Sequence, residues 1–263
     1  MSGRGYRFAL EVTRRDTTAT TLVAAAKHNL PCALTSFIGR EMEIAELSQL
    51  LGNARLLTLT GAGGCGKTRL AIKLARQQSH CYPDGAWLVE LAALTDPALL
   101  PQTVATVLGV QERAGAPLLD TIAEHLESRA LLLVLDNAEH LIEASAQLTE
   151  SLLRRCPSLV ILVTSRERLG ITGEQTYRVP SLSMPDEEKD TTPESIATHE
   201  SGRLFIERAR LQLPRFAVTT DNSSAIASIC RRLVSADPDR PGLGLGSPDT
   251  GLLVKALLNC VTR

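Results

Sequence analysis

Arg55-Leu-Leu-Thr-Leu-Thr-Gly-Ala-Gly-Gly-Cys-Gly-Lys-Thr-Arg-Leu70 joins an apolar run, a glycine-rich turn and the start of an amphipathic segment without a break. Gly61 to Thr68 fits G-x-x-x-x-G-K-T, the spacing of a phosphate-binding loop. Leu56 to Thr60 is short, apolar and β-prone, and predicts a buried strand. From Arg69 to Gln78, Leu70, Ala71, Leu74 and Ala75 recur at helical spacing. Strand, glycine loop and helix are the order this chemistry needs.

Gly61, Gly63, Gly64 and Gly66 let the backbone bend so that successive N–H groups face one anion. The helix that follows adds the partial positive charge of its N-terminus at the same spot. The binding segment runs through Gly61, Ala62, Gly63, Gly64, Cys65, Gly66, Lys67 and Thr68 to Arg69. Lys67 reaches β- and γ-phosphates, and Thr68 offers a hydroxyl to Mg²⁺. Cys65 is a small, tolerated loop residue rather than a nucleophile. The plainer reading is a glycine-rich turn that binds nothing. The flanking elements and a second motif downstream argue against it.

That second motif is Leu131-Leu-Leu-Val-Leu-Asp136, a continuous apolar run ending in an acid. So apolar a run suits a parallel strand buried on both faces. Its carboxyl end is where ligands bind in such sheets. Asp136 therefore reads as the acid that holds Mg²⁺, directly or through water. It could also cap a helix, because Glu139 follows in capping-box spacing. Glu139 to Arg155 predicts that helix, with Leu141, Ala144, Leu148 and Leu152 on its core face. Leu159 to Thr164 predicts another buried strand, followed by Ser165 and Arg166. An arginine there can report a γ-phosphate, or it can pair at the surface with Glu167 or Glu139.

The remaining chain extends the alternation. Glu41 opens a helix with Ile44, Leu47 and Leu51 on one face, and Gly85 to Leu91 predicts a strand. Pro97 to Leu108 and Pro117 to Glu127 predict helices, and Thr176 to Val179 a last short strand. Alternating strands and helices imply an α/β fold: a mostly parallel sheet flanked by helices, with a small partial helical lid. The expected organisation is a tail and linker over 1–28, the nucleotide domain over 29–182, a linker over 183–196, the lid over 197–234 and an irregular tail over 235–263. In the lid, Phe205, Ala209 and Leu213 recur every four residues before Pro214. Asn222 can cap the next helix, which carries Ile226, Ile229 and Leu233.

With 263 residues, 44% hydrophobic and 22% charged, the chain is an ordinary globular one. A net charge of −1 predicts no global affinity for nucleic acid or membrane. No apolar run approaches a membrane span, and Met1 to Leu30 lacks the apolar core of a signal peptide. The six scattered cysteines lack metal-ligand spacing and read as free thiols in a cytoplasmic protein.

Four ordered motifs resemble one family. They are Leu34-Thr-Ser-Phe-Ile-Gly-Arg-Glu41, Leu57 to Leu70, Leu132-Leu-Val-Leu-Asp-Asn-Ala-Glu-His-Leu141 and Val163-Thr-Ser-Arg-Glu-Arg-Leu169. Together they are similar to the STAND-class signal-transduction ATPases with NB-ARC-like nucleotide domains, found in bacterial transcriptional regulators. Phe205 to Leu211 and Ile229 to Leu233 resemble that family's first lid helices. The resemblance implies an ADP-held switch that opens on exchange for ATP and then acts on a partner, self-associates or acts on DNA. It places Ile38, Gly39 and Arg40 beside adenine and ribose, Lys67 and Thr68 at phosphates and Mg²⁺, Asp136 as the Walker-B acid and Arg166 as the sensor. Many fast P-loop hydrolases carry an acid beside the Walker-B aspartate. Asn137 stands there and cannot take a proton, so hydrolysis is expected to be slow at most, with Glu139 as a substitute candidate.

The family's Gly-x-Pro-Leu segment is replaced here by Val234-Ser-Ala-Asp-Pro-Asp-Arg-Pro241. Residues 2–8 resemble the last strand of a winged-helix domain. The expectation is thus a core cut from a larger regulator, with no direct DNA binding of its own. The competing expectations are a P-loop ATPase with genuine turnover and a degenerate fragment that binds no nucleotide.

Overall fold

Leu132, Leu133, Val134 and Leu135 cannot all face one core, because successive strand residues point to opposite sides. The computed structural model, which describes residues 27–186 and 192–234, gives the run two cores. Leu133 and Leu135 join one apolar cluster, whereas Leu132 and Val134 join another. The same alternation divides Ile161 and Val163 from Leu162, and Leu56 from Leu57 and Leu59. Burial on both faces is what a covered parallel sheet requires.

The strands are β1 (Leu56–Thr60), β2 (Ala86–Glu90), β3 (Leu132–Asp136), β4 (Val160–Thr164) and β5 (Gln175–Arg178). They form one sheet in the order β2-β3-β4-β1-β5, and every pairing is parallel. Helices α1 (Glu41–Asn53) and α2 (Lys67–Gln78) cover one face through Leu47, Leu51, Leu70 and Leu74. Helices α3 (Leu100–Leu108), α4 (Leu118–Leu126) and α5 (Ile142–Arg155) cover the other through Val104, Ile122, Leu126, Leu148 and Leu152. Each fully buried leucine contributes about 1.5–3 kcal/mol.

At the β2 edge, Ala86 N–H donates to the Lys27 carbonyl, and the Asn29 side chain exchanges hydrogen bonds with both backbone groups of Leu88. The end of the expected 1–28 linker thus covers an edge that would otherwise present unpaired backbone groups. The earlier part of that segment, the winged-helix-like residues 2–8 and the tail over 235–263 lie outside the described residues.

Three helices form a separate apolar cluster: α6 (Pro193–Thr198), α7 (Glu200–Gln212) and α8 (Thr220–Val234). Phe205, Ile196 and Ile226 are fully buried there, and Ile38 packs against them. Phe205 meets Phe216 edge-to-face at 6.0 Å.

Several boundaries differ from expectation. The linker expected over 183–196 already contains the start of α6, where Thr192 caps the helix through the Ser195 N–H. Leu213 is 43% exposed, because the backbone turns extended before Pro214 and leaves the helical face. α8 begins two residues before Asn222, whose side chain accepts from Thr219 N–H instead of opening the helix. α5 begins at Ile142, after a separate 3₁₀ turn over Ala138–His140.

Candidate functional site

The loop after β1 returns the chain at the carboxyl end of the sheet. Gly61, Gly64 and Gly66 take φ values of 147°, 77° and 90°, which an L side chain resists. Ala62, Gly63 and Gly64 are exposed. No side chain caps α2, so its first N–H groups open toward the loop. Lys67 is 9% exposed, and its Nζ donates to the carbonyls of Gly61 and Ala62 at 2.8 and 3.0 Å. Thr68 is half-buried one residue further along the helix. Cys65 supplies its Sγ against the Gly61 position and its carbonyl to Arg40. Glycine cradle, uncapped helix and lysine form the donor set a polyphosphate needs.

The ends of β3 and β4 lie beside this loop, since β4 pairs with β1. Asp136 is 7% exposed, and its Oδ1 accepts from the Thr164 hydroxyl at 2.6 Å. The same Thr164 oxygen accepts from the Asn137 N–H at 2.9 Å. Thr164 thereby ties the two strand ends together. Asn137 turns left-handed at φ 62°, and no side chain caps the following 3₁₀ turn, so the Asp136 side chain serves Thr164 rather than a helix end. Glu139, on that turn, pairs with Arg166 at 2.9 Å between Oε1 and Nε. A second nitrogen of the same guanidinium reaches the loop: its Nη2 lies 3.6 Å from where a Gly63 Cβ would be. Arg166 therefore holds the surface pairing with Glu139 and a place over the glycine loop at once.

Ile38, Gly39 and Arg40 lie at a seam between the loop and the lid. Ile38 packs on the lid cluster. Gly39 has φ 70°, and a side chain there would overlap the Glu200 carboxylate. Arg40 is 4% exposed and left-handed at φ 65°. Its N–H donates to Glu200 Oε1 at 2.7 Å, and its Nη2 donates to the carbonyls of Cys65 and Pro180 at 2.7 and 3.0 Å. Arg40 thus points beneath the phosphate loop and braces it from behind. Arg69, the last of the loop residues, turns away to the Thr35–Ser36 segment and donates to the Ser36 carbonyl at 2.9 Å. Arg208 of the lid donates to the Thr35 hydroxyl at 3.0 Å and to Glu207 at 2.8 Å. Burial, and then the nearby Arg208 charge, push the Arg69 pKa below its ordinary value.

Sequence reading missed Thr164, Glu200 and Arg208. Thr164 sat inside a quoted motif, yet only the strand pairing shows that it clamps two strand ends. Arg208 likewise sat inside the quoted lid stretch Phe205 to Leu211, but its contact with Thr35 lies 173 residues away, and Glu200 acts across 160 residues with no local signal.

Among the described residues no group of three or more His, Cys, Asp or Glu could hold a metal ion by itself. Thr68 offers one hydroxyl and Asp136 one carboxylate, fewer protein ligands than a self-sufficient metal site needs. Among the described residues no helix is long and apolar enough to cross a membrane. The cysteines described are free thiols.

Residues 50–172 match the family model of an AAA domain. A Mycobacterium tuberculosis protein described as uncharacterized is 38% identical over 211 residues, covering 80% of this chain and 50% of that protein. Another protein of that organism, named as an HTH-type transcriptional regulator, is 41% identical over 184 residues, covering 70% of this chain and 19% of the regulator. Among solved structures, a Signal Transduction ATPase with Numerous Domains from Pyrococcus horikoshii, carrying a tetratricopeptide repeat sensor, is similar over 82% of this chain and 30% of its own, with 18% identity and a TM-score of 0.48. The chain spans about half the length of the first of these relatives.

Proposed function

We propose that this chain, which carries the P-loop ATPase core found in transcriptional-regulator-like proteins, is an ATP/ADP-binding switch module in which binding matters more than turnover. The observation that supports this reading best is the turn after β3. Asn137 stands where a water-activating acid would be, and the next carboxylate, Glu139, is ion-paired with Arg166. One oxygen of that carboxylate is thus engaged by the guanidinium rather than turned to a water. The loop Gly61–Arg69 would take the phosphates, with Thr68 and Asp136 holding Mg²⁺ between phosphate oxygens and water. Arg166 would sense the γ-phosphate, and Ile38, Gly39 and Arg40 would place the base and ribose side near the lid. Adenine specificity rests on the family resemblance alone.

In this reading nucleotide state sets how the lid docks, and the protein partner or second copy engaged in the ATP state reads the lid. The setting is cytoplasmic regulation of transcription, with DNA contacted by another part or partner rather than by this core.

Calorimetric titration with ATP, ADP and GTP plus Mg²⁺ tests it, alongside Lys67→Ala. Adenine nucleotides should bind, ADP at least as tightly as ATP. Lys67→Ala should weaken both by about 10- to 100-fold, the worth of hydrogen bonds to a charged group. Wild type that binds no better than the variant would leave the glycine loop a relic. Phosphate release near the ordinary enzyme range, above roughly 1 s⁻¹, would restore the turnover reading instead.

A further inference from the structure

We infer that Glu139 is a positioning residue that sets the discrimination between ATP and ADP by holding Arg166 over the phosphate loop. This rests on the nucleotide-switch reading above and gives one residue of that site a definite task.

The geometry gives two nitrogens of the Arg166 guanidinium separate tasks. The Nε is taken by Glu139 Oε1 at 2.9 Å. The Nη2 atom lies on the loop side, 3.6 Å from the Cβ position of Gly63. The two engagements do not compete for one nitrogen. A phosphate on the loop meets Nη2 while Glu139 keeps Nε.

An arginine so exposed needs such a hold. The Arg166 side chain is 59% exposed, whereas that of Glu139 is only 21% exposed. Left alone, a long exposed side chain would sample many rotamers and lose that freedom on meeting a phosphate. Glu139 itself stands on a fixed turn. The Asn137 N–H is held by Thr164, Ala138 is fully buried, and the His140 ring lies 2.7 Å from the Leu94 carbonyl. The fixed part is therefore the carboxylate, and the arginine is what it orients. In the switch reading Arg166 meets the γ-phosphate, which ADP lacks, so the benefit falls on ATP and not on ADP. Glu139 is correspondingly occupied and does not serve as the substitute base.

The test titrates Mg²⁺-ATP and Mg²⁺-ADP into wild type, Glu139→Ala, Glu139→Gln, Arg166→Gln and the Glu139→Ala/Arg166→Gln double variant. Glu139→Ala should weaken ATP by about 2- to 10-fold, the scale of immobilising one rotamer-rich side chain, and leave ADP unchanged. Glu139→Gln should recover most of the loss, because its amide oxygen still accepts from Nε. Arg166→Gln should lose at least as much ATP affinity as Glu139→Ala, and the double variant no more than Arg166→Gln alone. Equal loss for ATP and ADP, no loss at all, or additive losses in the double variant would overturn the inference while nucleotide binding itself stands. Wild type that binds neither nucleotide would instead remove the switch reading, and this inference with it.

Discussion

The phosphate loop and the lid seam meet at Arg40, yet they are built by opposite means. The loop works through backbone. Three glycines at positive φ and an uncapped helix N-terminus lie within a single short stretch of chain. The seam works through side chains drawn from distant places: Glu200 on Arg40 and Ser183, and Arg208 on Thr35. A backbone device survives most side-chain changes and fails when a glycine or the lysine is lost. A side-chain device fails piece by piece, and each piece has its own energetic signature. Lys67→Ala should therefore separate binding from stability, whereas lid substitutions should move stability first.

The largest such effect belongs to Phe205→Ala. Phe205 is fully buried and anchors the lid cluster against Phe216. Removing it should cost about 3–5 kcal/mol, the usual range for emptying a buried aromatic site. Urea unfolding followed by circular dichroism reads this directly. A single transition shifted by that amount would make lid and sheet one cooperative unit. An early separate transition, with the main one unmoved, would show that the seam transmits little, and the contrast between the two regions would be sharper still.

What could be read from the sequence follows the same division. Gly61 to Thr68 was legible because its geometry is set by neighbours in the chain. The strand ending in Asp136 was legible because burial on both faces leaves a continuous apolar run. Helix α6 was not legible. It has six residues, too few to show a period, and it exists because Ile196 is buried in the lid. Leu213 fitted a four-residue spacing that the helix does not sustain past Gln212. For Arg40 the motif gave the position but not the direction. A left-handed arginine turned beneath the loop depends on Cys65, Pro180 and Glu200 all being near, and no local pattern records that.

Arg40→Met gives the next effect in size. The substitution keeps an apolar stem and removes the guanidinium that serves the Cys65 and Pro180 carbonyls. Losing these buried hydrogen bonds should cost about 1.5–3 kcal/mol. The variant also frees the loop from its rear brace, so ATP and ADP should weaken together. A drop in stability at unchanged affinity would assign Arg40 to the seam alone. A drop in affinity at unchanged stability would assign it to the loop alone.

Glu200→Gln is the finest probe, because it changes one acceptor and almost no volume. The carboxylate receives the Arg40 N–H on Oε1 and the Ser183 N–H on Oε2, at 2.7 and 3.0 Å. A glutamine has one carbonyl oxygen, so whichever way the amide turns, one backbone N–H faces an NH₂ group. Ser183 is exposed, so its N–H can turn to water, and the expected loss is about 0.5–1.5 kcal/mol of stability, the net worth of one hydrogen bond. Glu200 touches only backbone at the seam, so the ratio of ATP to ADP affinity should stay at the wild-type value. That sets it against Glu139→Ala, where the ratio should move and stability should barely change. If Glu200→Gln shifts the ratio as well, the lid seam reads the nucleotide's phosphates through the rear of the loop, and the two regions act as one device.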